Sequence, residues 1–143
     1  VQCIPTSEMS YATNSRNVDT LSIECCHPDE TGKFNEATYD SAVKLSAWLC
    51  VRFGLTSENV IRHYDVTGKN CPKYYVENPD AWIQMKSDIA VQIDVDYGLQ
   101  DVSKTKIQHS TKKKFALKST KKYCTIITTC DFFSRQCLHD WRK

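Results

Sequence analysis

The chain has 143 residues, 41% of them hydrophobic and 25% charged, the proportions of a soluble globular protein able to bury an ordinary core. No apolar run approaches the ~20 residues that span a bilayer, and no charged-then-apolar leader resembles a signal peptide, so no membrane span is expected and export is not encoded in this stretch. The net charge of +2 hides an asymmetry: residues 1–94 hold 8 Lys/Arg against 13 Asp/Glu, while residues 95–143 hold 11 against 4, which marks a boundary near Asp94 to Gly98.

In chain order, Val18 to Cys26 alternates, with Leu21, Ile23 and Cys25 on one face and Thr20, Ser22 and Glu24 on the other, the period-two pattern of a half-buried strand. His27 to Lys33 is dense in turn formers and reads as a loop. From Asn35 to Phe53, the residues Tyr39, Ala42, Val43, Ser46, Leu49, Cys50 and Phe53 recur at helical spacing, and Gly54 stops the helix. Val60 to His63 is a short strand carrying His63 at its end. Asn78-Pro79-Asp80 opens a second helix, with Trp82, Met85, Ile89 and Ile93 on its buried face. Helices alternating with strands predict an α/β layer, helices covering a sheet.

Beyond Tyr97 the periodicity weakens. Lys112-Lys113-Lys114 and Lys121-Lys122, set among Ser and Thr, read as a solvated basic tail over 95–143 rather than a nucleic-acid surface. Tyr123 to Cys130 is rich in β-branched residues and has the character of one strand, whose partner the sequence does not reveal. Cys124, Cys130, Cys137 and His139 lack the paired CxxC step of a zinc ribbon.

The densest chemistry lies in His63-Tyr64-Asp65-Val66-Thr67-Gly68-Lys69-Asn70-Cys71-Pro72, which sets an imidazole, an amine and a thiol at short fixed spacing. Zinc accepts neutral imidazole and thiolate, and a catalytic zinc has three protein ligands and an open position. Taken alone, His63 reads as a structural histidine at a strand end; with Cys71 eight residues on and Lys69 between them, it reads as a metal ligand. His27 is a loop residue outside that constellation. If Cys71 is a zinc thiolate, seven of the eight cysteines remain, an odd number that cannot all pair within one chain. They are therefore read as mostly reduced, with Cys25 and Cys50 acting as small buried hydrophobes.

This run resembles the zinc-dependent N-acetylmuramoyl-L-alanine amidases of the phage-lysozyme and peptidoglycan-recognition type. So do Val1-Gln2-Cys3-Ile4-Pro5 with Glu8, and Asn17-Val18-Asp19-Thr20-Leu21-Ser22-Ile23-Glu24, and the resemblance covers roughly residues 1–93. It implies a central mixed sheet flanked by helices, a zinc cofactor held by His63 and Cys71, and peptidoglycan as substrate, cut at the bond between muramic acid and L-alanine at the bacterial cell wall. Glu24 is implied as the proton-transferring carboxylate and Lys69 as the oxyanion-stabilising cation. The family's first strand, which ends in its first zinc histidine, has no counterpart here, so residues 1–94 are expected to form a partial domain of a fragment or processed product. That loss leaves a second possibility, a peptidoglycan-binding module or inactive fragment without catalysis.

Overall fold

The computed structural model describes residues 1–97 and 122–128. A 3₁₀ turn over Asn14–Asp19 leads into β1 (Thr20–Cys25), followed by α1 (Glu36–Phe53), β2 (Val60–Arg62), α2 (His63–Thr67), α3 (Lys73–Glu77), α4 (Pro79–Tyr97) and β3 (Tyr123–Thr128).

Local chemistry sets most of these boundaries. The Asn35 side chain accepts a hydrogen bond from the Thr38 N–H at 2.8 Å and caps α1 at its start. Gly54 ends it at φ +69°, a left-handed conformation that glycine adopts without a Cβ penalty, and its N–H reaches the Cys50 and Val51 carbonyls. The strand expected to reach His63 stops at Arg62. There the Asp65 carboxylate accepts the Arg62 N–H at 2.8 Å, so the chain turns helical and His63 becomes the first residue of α2. Gly68, at φ +74°, closes that short helix.

The three strands form one sheet in the order β1-β3-β2. The described strands run parallel to one another. The α/β class holds, and β1 and β2 are joined through α1, the type of crossover that parallel strands require. The segment Tyr123–Thr128, whose partner the sequence left open, has two: Leu21 and Val60 both lie in register with Cys124, and Ile23 and Arg62 both with Ile126. Lys112 to Lys114, Lys121, Cys130, Cys137 and His139 lie outside the described residues.

Alternation along the strands divides the sheet into two faces. Leu21, Ile23, Cys25, Val60, Cys124 and Ile126 point into the core, which α1 closes with Ala42, Val43, Ala47 and Cys50, and α4 with Trp82, Met85 and Ile89. The helical stripes read from the sequence are thus the buried ones, and α1 packs along α4. The other face carries Thr20, Ser22, Glu24, Thr125 and Ile127. The turn before β1 covers part of it: the Thr20 hydroxyl donates to the Arg16 carbonyl at 2.7 Å and meets the Thr13 hydroxyl at 2.6 Å. The same turn grips β3, for the Arg16 guanidinium sits 3.9 Å from the Tyr123 ring centre and the Lys122 N–H donates to the Asp19 carbonyl at 2.7 Å.

Candidate active site

Because the three strands are parallel, their carboxyl ends share one edge, where open α/β sheets place ligands. Glu24 lies in register with Ile127 and Arg62 with Ile126, so Glu24 and His63 flank the carboxyl end of β3 from its two sides. Two strand spacings set their backbones about 10 Å apart. Glu24 is exposed, as expected for a carboxylate on the face turned away from the helices.

His63 is partly buried, and its Nδ1 has no hydrogen-bond partner among the described residues. Burial, and after it the positive charge of Lys69, hold the imidazole below its ordinary value of 6.5. At neutral pH the ring is therefore uncharged and keeps a lone pair for a ligand. Lys69 is exposed beyond the Gly68 turn, and its charge reaches His63.

Backbone hydrogen bonds fold the run back on itself. The Tyr64 N–H donates to the Cys71 carbonyl at 2.8 Å, and the Cys71 N–H donates to the Lys69 carbonyl at 2.6 Å. Cys71 is fully buried and precedes a cis peptide bond to Pro72. It lies near the end of β1 as well: burial pushes the Cys25 thiol up to about 12, and the charges of Cys26, Cys71 and Glu24 add to the effect. Glu24, His63, Lys69 and Cys71 thus come to one end of the sheet. Among the described residues no three His, Cys, Asp or Glu side chains are grouped closely enough to hold a metal ion. His27 is engaged elsewhere, its Nδ1 lying 2.6 Å from the Asp29 carbonyl.

The same edge is braced by contacts that sequence reasoning missed. The loop after β1 is tied to α3, as Lys73 Nζ donates to the Glu30 carbonyl at 2.9 Å. Gly32 packs so closely on Lys73 that a Cβ there would stand 3.1 Å from the lysine Cβ. Ser22 and Thr125, register neighbours on the Glu24 face, bury hydroxyls with no hydrogen-bond partner among the described residues. The signals available were faint: a glycine in a turn-rich loop, and small hydroxyls alternating with apolar residues.

The family model described as N-acetylmuramoyl-L-alanine amidase matches residues 1–74, just over half of the chain, and those residues include Glu24, His63, Lys69 and Cys71. The chain belongs to this amidase family. Among curated relatives, the N-acetylmuramoyl-L-alanine amidase CwlL of Bacillus licheniformis is 31% identical over 106 residues, which are 74% of this chain and 28% of that protein. A probable N-acetylmuramoyl-L-alanine amidase of the same organism is 36% identical over 70 residues, 49% of this chain and 20% of the relative. The amidase BlyA of Bacillus subtilis is 30% identical over 78 residues, 54% of this chain and 21% of the relative. The chain thus spans between a fifth and three tenths of the length of these amidases. No solved structure matches it significantly.

Proposed function

We propose that this chain supplies the catalytic edge of a peptidoglycan hydrolase that cleaves the amide between N-acetylmuramic acid and L-alanine at the bacterial cell wall. Residues 1–94 are read as the amidase portion, and 95–143 as a basic extension from which Tyr123–Thr128 enters the sheet. The observation that carries the proposal is that Glu24 and His63 flank the carboxyl end of β3, with Lys69 and Cys71 in the run that folds back beside His63, in a chain whose family match covers all four.

Amidases of this family generally use zinc, and two residues here suit it by donor chemistry. His63 offers an uncharged imidazole whose buried Nδ1 is unpaired among the described residues, and Cys71 offers a thiol at the same edge. A third donor would come from outside the described residues. Zinc, when bound, polarises the scissile carbonyl and makes water a nucleophile near neutral pH. The chain's own residues do the rest. Glu24, exposed and unburdened by the core, takes the proton from the attacking water and returns it to the leaving L-alanine nitrogen, as general base and then general acid. The Lys69 ammonium offsets the negative charge that gathers on the carbonyl oxygen.

Glu24→Ala tests the division of labour, because the carboxylate moves protons and holds no metal. Hydrolysis, followed as new amino groups released from peptidoglycan, is expected to fall by roughly 10²-fold or more, while zinc content stays at the parent's value. Loss of zinc together with activity would contradict the assignment.

A further inference from the structure

On the helix side of the sheet, away from the face that carries Glu24, the loop after β1, α3 and the first turns of α1 and α4 border an open cleft of about 430 Å³. Its walls are aromatic: Phe34, Tyr39, Tyr74 and Tyr75 line it, with Phe34 and Tyr75 buried and ring centres 4.9 Å apart, and Tyr74 edge-on to Tyr75 at 5.2 Å. Its rim is polar. Lys33 places its ammonium 5.5 Å from the Tyr74 ring centre, Glu36 opens α1, and Gln84 projects from α4 beside Ala81.

The Lys33 cation and the Glu36 anion on the rim offset each other, and the Asp88 carboxylate behind it is taken up by the Tyr39 hydroxyl at 2.6 Å and the Gln84 amide at 2.8 Å, so the lining favours neither an anionic nor a cationic ligand. What remains is a set of ring faces and edges beside the Lys33 ammonium as donor and acceptors on Glu36 and on the Gln84 carbonyl, whose amide nitrogen is held by Asp88. A pyranose presents the complement, a C–H face for aromatic rings and a circumference of hydroxyl and acetamido groups. The volume falls in the range of small-ligand pockets and accommodates a sugar unit or two.

We propose that this cleft is a glycan subsite that holds a neutral N-acetylated amino sugar of the peptidoglycan strand. The proposal rests on peptidoglycan being the substrate, and it names the part of the substrate that is gripped. It also gives a role to the brace between Lys73 and Glu30, since that contact fixes the loop carrying Lys33 and Phe34 against the helix carrying Tyr74 and Tyr75.

The test is titration of the full chain with N-acetylglucosamine tetrasaccharide, which carries no peptide, followed by the side-chain resonances of the tyrosines. Saturable binding is expected, with Tyr74→Ala weakening it about tenfold, the loss of a principal aromatic contact. Gln84→Ala should weaken it severalfold, and Tyr74→Phe should retain it. If circular dichroism shows Tyr74→Ala to be unfolded, Gln84→Ala and Lys33→Gln decide. His63→Ala should keep the parent's sugar affinity while losing hydrolysis. A chain that binds the sugar in this Tyr74-dependent way but never cuts peptidoglycan would sink the hydrolase reading and leave the subsite standing. Absence of saturable binding, affinity indifferent to Tyr74 and Gln84, or displacement of the sugar by free stem peptide would overturn the subsite.

Discussion

Burial decides what each thiol can do. Cys50, on the inner stripe of α1, is fully enclosed, and desolvation alone pushes it up from 9.0 to about 11. Cys25 and Cys124 are pushed up in the same direction, while Cys3 and Cys26 stand exposed. The sign of the linkage follows. Between pH 9 and about 11 the unfolded chain has lost the Cys50 proton and the folded chain keeps it, so this contribution is whole below pH 9 and drains away as pH rises. Thermal midpoints measured from about pH 8 to 10.5 should fall for the parent and fall less steeply for Cys50→Ala, which starts lower because it opens a cavity. An equal slope in the two would contradict the burial of this thiol. The reading of Cys25 and Cys50 as small hydrophobes is visible in the sequence because both sit on apolar stripes. Cys71 gives no such hint, since it lies in a fold-back closed by backbone hydrogen bonds with Tyr64 and Lys69 that no periodicity announces.

At the scale of the element, how legible each segment is follows from how local its causes are. α1 and α4 can be read from the sequence because stripe, cap and stop signal lie within each segment. α3, at five residues, is too short to show a stripe, and β2 loses His63 because a carboxylate three residues on caps the turn from Arg62. Gly32 belongs to this scale, as it joins two elements that sequence cannot place side by side. Its φ is +74°, and a Cβ added to it would meet Lys73 Cβ at 3.1 Å and the Tyr74 nitrogen at 3.3 Å, so both would have to give by a few tenths of an ångström to admit alanine. Gly32→Ala is expected to destabilise the chain by roughly 1–3 kcal/mol, read from urea unfolding. Gly54→Ala, where a Cβ meets open space but φ is +69°, should cost about 1 kcal/mol from the backbone alone. A Gly32→Ala cost no larger than that of Gly54→Ala would mean the loop is not seated on α3.

For the whole molecule, the decisive feature is that the last described strand in sequence is the middle described strand in space. β1 and β2 each bond to β3, and the described sheet holds no pairing between them. Nothing in the local pattern of Tyr123 to Thr128 tells where it docks, because that pairing is decided by two segments far away in the chain, at Thr20–Cys25 and Val60–Arg62. Residues 1–97 alone would leave two strands with unpaired backbone groups and a core without Cys124 and Ile126. They are expected to unfold without a cooperative thermal transition, and the full chain is expected to show one. A cooperative transition in the shortened chain near the parent's midpoint would show that β3 is dispensable.

The same geometry underlies the candidate active site, since β3 is what spaces Glu24 from His63. The most direct measurement is zinc per chain in the purified 143-residue chain and in Cys71→Ser, by elemental analysis of folded protein. About one zinc in the parent and close to none in the variant is the expected result, a site held by His63, Cys71 and one further donor. A folded parent without zinc, or a variant that keeps as much as the parent, would contradict zinc-assisted hydrolysis at this edge.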